Sequence, residues 1–401
     1  MATDYLLARI QTLGAESPPR LRMHSSTASS PLSTVHSEDL STLPAGRIIG
    51  TLSAFYFALR PDLTWRARVS IVDPNRVAVT LSRNGSHAAS VIFSRLDMGL
   101  PSIEGTTDQD AANGDRLQAQ LLTGAAAFIL VHLSQVHHRL QRGLYSALSW
   151  KSVTLHVIAT SAALIDDPEQ RTALLARAVN EDPQYPLARL EYLWALQGDT
   201  KIDEPAYRQF ADALDDELKQ LNLPEGSPLL IRALYRSAAQ RINLYAAEGY
   251  PQNLKELEAA AASVRRFADQ CQGEKNEIPQ WAQFAEQVKP IAAVMLRQIE
   301  ALQLVGPLLP APADRTVVPR YAYENACLDC FLERRGAASP EDAIHQLRFA
   351  LPNERDKEEA RQDPCLSSLR ARDDFRALVK FSRARGRTRR RGPTPGPGAS
   401  S

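Results

Sequence analysis

The hydrophobic pattern changes period along the chain. Between Trp65 and Val72, apolar Trp65, Ala67, Val69 and Ile71 alternate with Arg66, Arg68 and Ser70. A period of two puts each set on its own face, as in a strand with one buried side. Val77, Val79 and Leu81 repeat the alternation after an Asp73-Pro74-Asn75 turn. Asn84-Gly85 then marks a hairpin, because both residues tolerate the positive φ of a tight two-residue turn. Ser90–Phe93 can close a third strand. The pattern predicts a small antiparallel meander with one polar face. A sheet of that size does not stand alone, so it should pack on the helices beside it. The compact apolar run Ile48–Leu59 predicts a helix ended by Pro61. Gly105–Gly114 is polar and acidic and reads as a loop.

From residue 116 to 380 the period lengthens to that of helices. Leu117–Leu140 predicts one long, Ala-rich helix. Later helices are punctuated by Pro183, Pro186, Pro205, Pro224, Pro228, Pro251, Pro279 and Pro340. The ends differ. Residues 1–45 carry a short helical pattern (Tyr5, Leu6, Ile10, Leu13) and then crowd Ser, Thr and Pro from Glu16 to Ala45. Residues 381–401 run through an Arg-rich stretch into Gly-Pro-rich sequence. Neither offers enough apolar surface to offset chain entropy, so both read as disordered. The zones are then 1–45, a small α+β region 46–115, a helical region 116–271, a helical connector 272–319, a C-terminal helical unit 320–380, and the tail.

Within the helical part a repeat emerges. In residues 152–185, Leu155, Ile158, Ala159 and Ala162 lie on a first helix, and Leu175 and Ala178 on a second. Asp166-Asp167-Pro168 separates the two helices and Pro183 stands at the exit. Small residues belong where two helix axes approach closely. One repeat later, Tyr192, Leu193 and Leu196 take the first-helix positions. After a turn from Gly198 to Pro205, Ala206, Phe210 and Ala213 take the second. A third pair runs from Leu229 to Ala247 and from Leu254 to Cys271, keeping Ala260, Val264 and Phe267 at the same intervals. This resembles the tetratricopeptide repeat, a helix–turn–helix of about 34 residues. The C-terminal segment is similar to the same family. Asn325-Ala326-Cys327 opens a unit, Ala343, Leu347 and Ala350 repeat the second-helix spacing, and Asp363-Pro364-Cys365-Leu366 through Phe375-Arg376-Ala377-Leu378 looks like the segment that closes bacterial arrays. The resemblance covers roughly 150–271 and 320–380.

The resemblance implies a mainly α fold: a helix-pair solenoid preceded by the small meander, in which first helices line a concave groove that clamps a protein or peptide. Stations one, five and eight after each unit's first bulky position would face that groove. They are His156, Thr160 and Ala163; Leu190, Trp194 and Gln197; and Ile231, Tyr235 and Ala238. Of these, His156, Thr160, Trp194 and Tyr235 are the candidate partner-binding residues. Trp194 and Tyr235 would form a stacking ladder there, or pack between repeats. The function expected is that of an adaptor or scaffold, without catalysis. The alternative is the sensor arm of a bacterial signalling or defence system whose enzyme is a separate protein.

Composition narrows the function classes. A net charge of +1 gives the whole chain no electrostatic bias toward nucleic acid or membrane. Of 47 basic residues only 8 are Lys, an Arg-rich balance that fits a GC-rich, bacterial genome. Four cysteines are too few for a disulfide scaffold, which points to a reducing, cytoplasmic setting. The N-terminal residues show no basic and apolar leader pattern. The apolar stretch Leu121–Leu133, broken by Thr123 and His132, falls short of the ~20 residues of a span and reads as a buried helix. Phosphate loops, dinucleotide fingerprints and nucleophile elbows are absent from the sequence. Cys327-x-x-Cys330 has a ligand spacing but no second pair, so the two read as core thiols. Cys365 and His345 would join them only if the fold gathers all of them. His132, His137 and His138 lack the i, i+4 spacing around a Glu that zinc helices use. No metal or other cofactor is expected. Arg383–Arg391 can hold an acidic surface or nucleic acid weakly, by counterion release, or be simply a solvated tail.

Overall fold

The computed structural model describes residues 53–60, 63–102, 108–197, 205–249, 253–272, 278–303 and 321–380. The expectations for residues 1–45 and 381–401 lie outside them. The chain divides into two compact units, Met1–Ala311 and Pro312–Ser401. The protein is mostly helical, with a small antiparallel sheet toward its N-terminal side.

The sheet is a meander of β1 (Ser53–Arg60), β2 (Leu63–Asp73), β3 (Arg76–Arg83) and β4 (Ser86–Ser94), in that spatial order. Thus the segment expected as a helix from Ile48 to Leu59 is, where described, a strand. β1 pairs antiparallel with β2, Phe55 opposite Ala67 and Phe57 opposite Trp65. Its aromatic, alternating Ser-Ala-Phe-Tyr-Phe suits a pleated surface better than a helix. The β3–β4 hairpin turns at Asn84 and Gly85, with φ of 53° and 82°, the left-handed values a two-residue turn requires. Trp65, Ala67, Val69, Val77, Val79, Leu81 and Phe93 form the buried face. Ile71 is only half-buried, and Ile92 on the outer face is 69% exposed.

Helix α1 (Asp108–Ser134) packs on β3. It begins six residues before Gly114, inside the stretch read as a loop. Asp108, Asp110 and the Ala111-Ala112 pair suit the first turn of a helix electrostatically and by propensity. Gly124 permits the close approach: a Cβ there would lie 2.7 Å from the Phe93 ring. Phe93 and Phe128 both meet Trp150, at ring separations of 4.9 and 5.9 Å, so sheet, α1 and the next helices share one core. Arg95, 1% exposed, stitches this corner. Its guanidinium donates to Pro101 O (2.9 Å), Leu117 O (3.0 Å) and Gln120 Oε1 (2.8 Å). α1 is long and apolar enough to cross a membrane over Gly114–Ser134, but 83% of the tested stretch is buried within the protein. It ends at Ser134, and a separate short helix, α2 (His138–Gly143), replaces the single helix expected to Leu140.

Helix pairs follow. They are α3 (Trp150–Thr160) with α4 (Pro168–Glu181), α5 (Pro186–Gln197) with α6 (Pro205–Gln220), and α7 (Pro228–Leu244) with α8 (Leu254–Gln270). A five-residue π turn, Tyr245–Gly249, extends α7. α4 opens on Pro168 beneath an Asp167 cap whose side chain accepts from Glu169 N at 3.0 Å. Ala159 and Ala178 are both buried, and Ser152 Oγ donates to Ala178 O at 2.7 Å, so backbones approach closely where α3 meets α4. α9 (Pro279–Leu302) packs on both α7 and α8. Pro168, Pro186, Pro205, Pro228 and Pro279 are each first in a helix, where the missing N–H and fixed φ are harmless.

The second unit holds α10 (Ala322–Glu333), α11 (Pro340–Ala350), α12 (Glu354–Gln362), a 3-10 turn at Pro364–Leu369 and α13 (Asp373–Leu378). α10 packs on α11 and on the 3-10 turn. Phe331, Leu347, Leu366, Leu369 and Phe375 form its core.

Candidate functional site

The expected groove residues are drawn mostly into the interior. His156 on α3 is 6% exposed, and its ring meets Tyr185 edge-on at 5.6 Å. Trp194 on α5 is 7% exposed and sits edge-on to Phe210 of α6 at 5.2 Å. Tyr235 on α7 is 4% exposed and packs on Phe267 of α8. Leu190, Ile231 and Ala238 are buried as well. Thr160 is half-buried and turns its hydroxyl back to His156 O at 2.9 Å. The four candidates therefore do not converge on one open surface. The aromatic pair falls at packing positions, the alternative already open for Trp194 and Tyr235. The covering is long-range: α1 lies on α3, and α9 lies on α7, where Arg232 stacks over Phe284 at 4.6 Å.

His156 is unusual among these. Neither ring nitrogen has a hydrogen-bond partner among the described residues. Burial holds its pKa down to about 4, so the ring is neutral at pH 7. Beside it, burial pushes the Tyr185 phenol far up, with Tyr145 and Asp182 adding to the shift. Asp182 fixes the start of α3, accepting from Leu148 N (2.7 Å) and Ser149 N (3.2 Å).

An open, polar cleft lies nearby in sequence. His138, Gln141 and Arg142 of α2, with Ser146, Asn222 and Pro224, line about 450 Å³. Its floor is conformationally demanding. Tyr145 and Ser146 are consecutive non-glycine residues in the left-handed region, at φ of 50° and 60°. Such backbone costs free energy and persists only where surrounding contacts enforce it. Here Ser146 N donates to Gln141 O at 2.8 Å, Tyr145 N donates to Arg142 O at 3.1 Å, and the Tyr145 hydroxyl is anchored inside. The cleft thus presents hydroxyl, amide, imidazole and guanidinium groups on a rigid turn. It can recognise a hydrogen-bonding surface. The sequence signal for it is slight: Asn222 and Pro224 punctuate a turn, and nothing local pairs them with α2.

A second polar centre joins α6, α7 and α8. Arg241 on α7, 9% exposed, donates to Asp215 Oδ2 through Nε (2.9 Å) and Nη2 (2.7 Å), and to Asp212 Oδ1 (2.6 Å). Buried Glu256 lies 3.7 Å away and pairs with Arg208. Burial alone would lower the Arg241 pKa, but the Asp215 and Asp212 bonds raise it.

In the second unit the fold gathers part of the thiol set. Cys327, Asp363 and Cys365 bring their ligand atoms within 4.8 Å of one another. His345 does not join them; it is exposed and meets Phe349 edge-on. All four cysteines are free thiols and buried. His132 bonds Phe128 O in its own helix at 2.9 Å, and His137 stands at the N-cap position of α2 without a side-chain capping bond; among the described residues neither joins a ligand cluster.

No family model matches the chain, and neither a curated protein nor a solved structure matches it.

Proposed function

We propose that this chain is an interaction scaffold, a divergent tetratricopeptide-type stack that holds a protein or peptide partner and performs no chemistry on it. The observation that carries the reading is the coincidence of turns with the repeat register. Helix breaks fall at Ser161–Asp167 within the first pair, and Pro186, Pro205 and Pro228 open the next three helices. Ala159, Ala178, Ala260 and Ala261 lie buried in those helices. A repeat stack gains its core by adding like units and offers extended surface to partners. Four free thiols agree with a reducing compartment, and we place the protein in the cytoplasm, in a bacterium.

Because His156, Trp194 and Tyr235 are buried, the contact surface assigned here is the cleft of Gln141, Arg142, Ser146 and Asn222. Its mixture of donors and acceptors suits the backbone and polar side chains of a peptide. The test is in-cell crosslinking and capture with the full chain. Asn222→Trp, which fills the cleft, should lose one captured partner that Lys289→Glu, on an exposed part of α9, retains. A captured set identical for both variants, or no partner above background, sinks the reading.

A further inference from the structure

The second unit concentrates three of the four cysteines, and two of them meet a carboxylate in its interior. Cys327 projects from α10. Cys365 lies on the 3-10 turn, and Asp363 caps that turn by accepting from Cys365 N at 2.8 Å. Cys327 is 5% exposed, Cys365 2% and Asp363 9%. The Asp363 carboxylate is also oriented from behind, because Tyr323 OH donates to its Oδ2 at 2.7 Å. A carboxylate held by an outer hydrogen bond, next to two thiols, is the arrangement by which proteins aim ligands at a metal.

We infer that Cys327, Cys365 and Asp363 form a zinc site that joins α10 to the terminal turn. This replaces the sequence expectation of purely packed thiols. Zinc takes thiolate sulfur at ~2.3 Å in a tetrahedron, whose edges are then about 3.8 Å. Ligand atoms already within 4.8 Å of one another therefore need to close by about 1 Å between the sulfurs and slightly more to the carboxylate oxygen. Water completes the tetrahedron. With water in the fourth position the balance is Zn²⁺ plus two thiols plus one carboxylate giving the complex and two protons released to solvent. No electron is transferred. Arg370, whose guanidinium donates to Asp363 O at 3.1 Å, offsets the excess negative charge. A soft, thiolate-rich, buried set selects zinc over magnesium or calcium.

The test uses the full chain, reduced and metal-free, titrated with cobalt(II) as a spectroscopic stand-in. One equivalent should give thiolate-to-cobalt charge-transfer absorption and tetrahedral visible bands. Added zinc should abolish both and raise the melting temperature. Tyr323→Phe keeps the ring and should weaken cobalt binding ~10–100-fold. A merely packed thiol pair would bind no cobalt before or after that change. Cys365→Ser should lose the bands, while Cys271→Ser, in the other unit, should keep them. Should Cys365→Ser fail to fold, alkylation of the wild-type chain reads the ligands directly: metal should protect Cys327 and Cys365 but leave Cys271 unaffected. Wild type that binds no cobalt overturns the site, as does protection confined to Cys271.

Discussion

Among the arginines buried in the first unit, Arg95 and Arg241 are kept there by different surroundings. At the corner of sheet and α1, Arg95 is 1% exposed and its acceptors are two backbone carbonyls and the Gln120 amide. Burial pulls its pKa down to about 10. Between α6, α7 and α8, Arg241 is 9% exposed and faces Asp212, Asp215 and Glu256. Its pKa moves up. The first arginine is a neutral-acceptor staple and the second the hub of an ion network. A buried guanidinium is tolerated in either way because five fixed donors can be satisfied by carbonyls or by carboxylates. What differs is what remains when the cation is removed: dipoles in one case, uncompensated charge in the other.

That difference gives the largest expected effect. Arg241→Met should cost roughly 3–5 kcal/mol at pH 7, since it removes the cation shared by half-buried Asp215 and buried Glu256, which then keeps only Arg208. Measured by urea unfolding relative to wild type, the deficit should shrink at high salt, which screens the repulsion between the carboxylates left behind. Arg95→Met should cost about 2–3 kcal/mol, from lost charge-assisted bonds and acceptors left unpaired. That deficit should be the same at low and high salt, and a salt-dependent deficit at Arg95 would erase the distinction.

The smaller effect sharpens the comparison with a buried base that stays neutral. An unfolded His titrates near its ordinary 6.5, whereas buried His156 titrates at about 4. The unfolded state therefore takes up the proton first as pH falls. Stability owed to the neutral ring is full above about pH 6.5, declines from there toward pH 4, and levels off below. Between pH 7 and 5 the loss is on the order of 1–2 kcal/mol. His156→Leu should flatten that slope in thermal melts; parallel slopes for variant and wild type would show that the ring is accessible to solvent protons.

Local chemistry was readable from the sequence where it acts within a few residues. The Asn84-Gly85 turn, the Asp167-Pro168 helix start and the small residues Ala159 and Ala178 stand where spacing put them. Ser53–Arg60 misled because an apolar run of that length suits a helix or a strand, and only pairing with β2 decides. The groove stations failed to open for a non-local reason. α1 and α9 cover neighbouring first helices, and no periodicity within α3 or α7 announces a covering helix. Likewise Cys327 and Cys365 meet only once α10 packs on the 3-10 turn, and His345, equally eligible by residue type, points elsewhere.

The meander has a colloidal consequence. β4 is an edge of the four-stranded sheet, and Ser86–Ser94 contains no Lys, Arg, Asp, Glu or Pro. Edge strands are ordinarily guarded by such residues, because their unpaired amides and carbonyls can template another chain. Val91-Ile92-Phe93 adds apolar character to this edge, with Ile92 already turned outward. Strand addition at β4 is then the route by which concentrated protein would self-associate, before any global unfolding. Ile92→Lys should slow light-scattering growth at high concentration while shifting stability by no more than about 0.5 kcal/mol, as for an ordinary surface change. Aggregation unchanged by that lysine would acquit the edge.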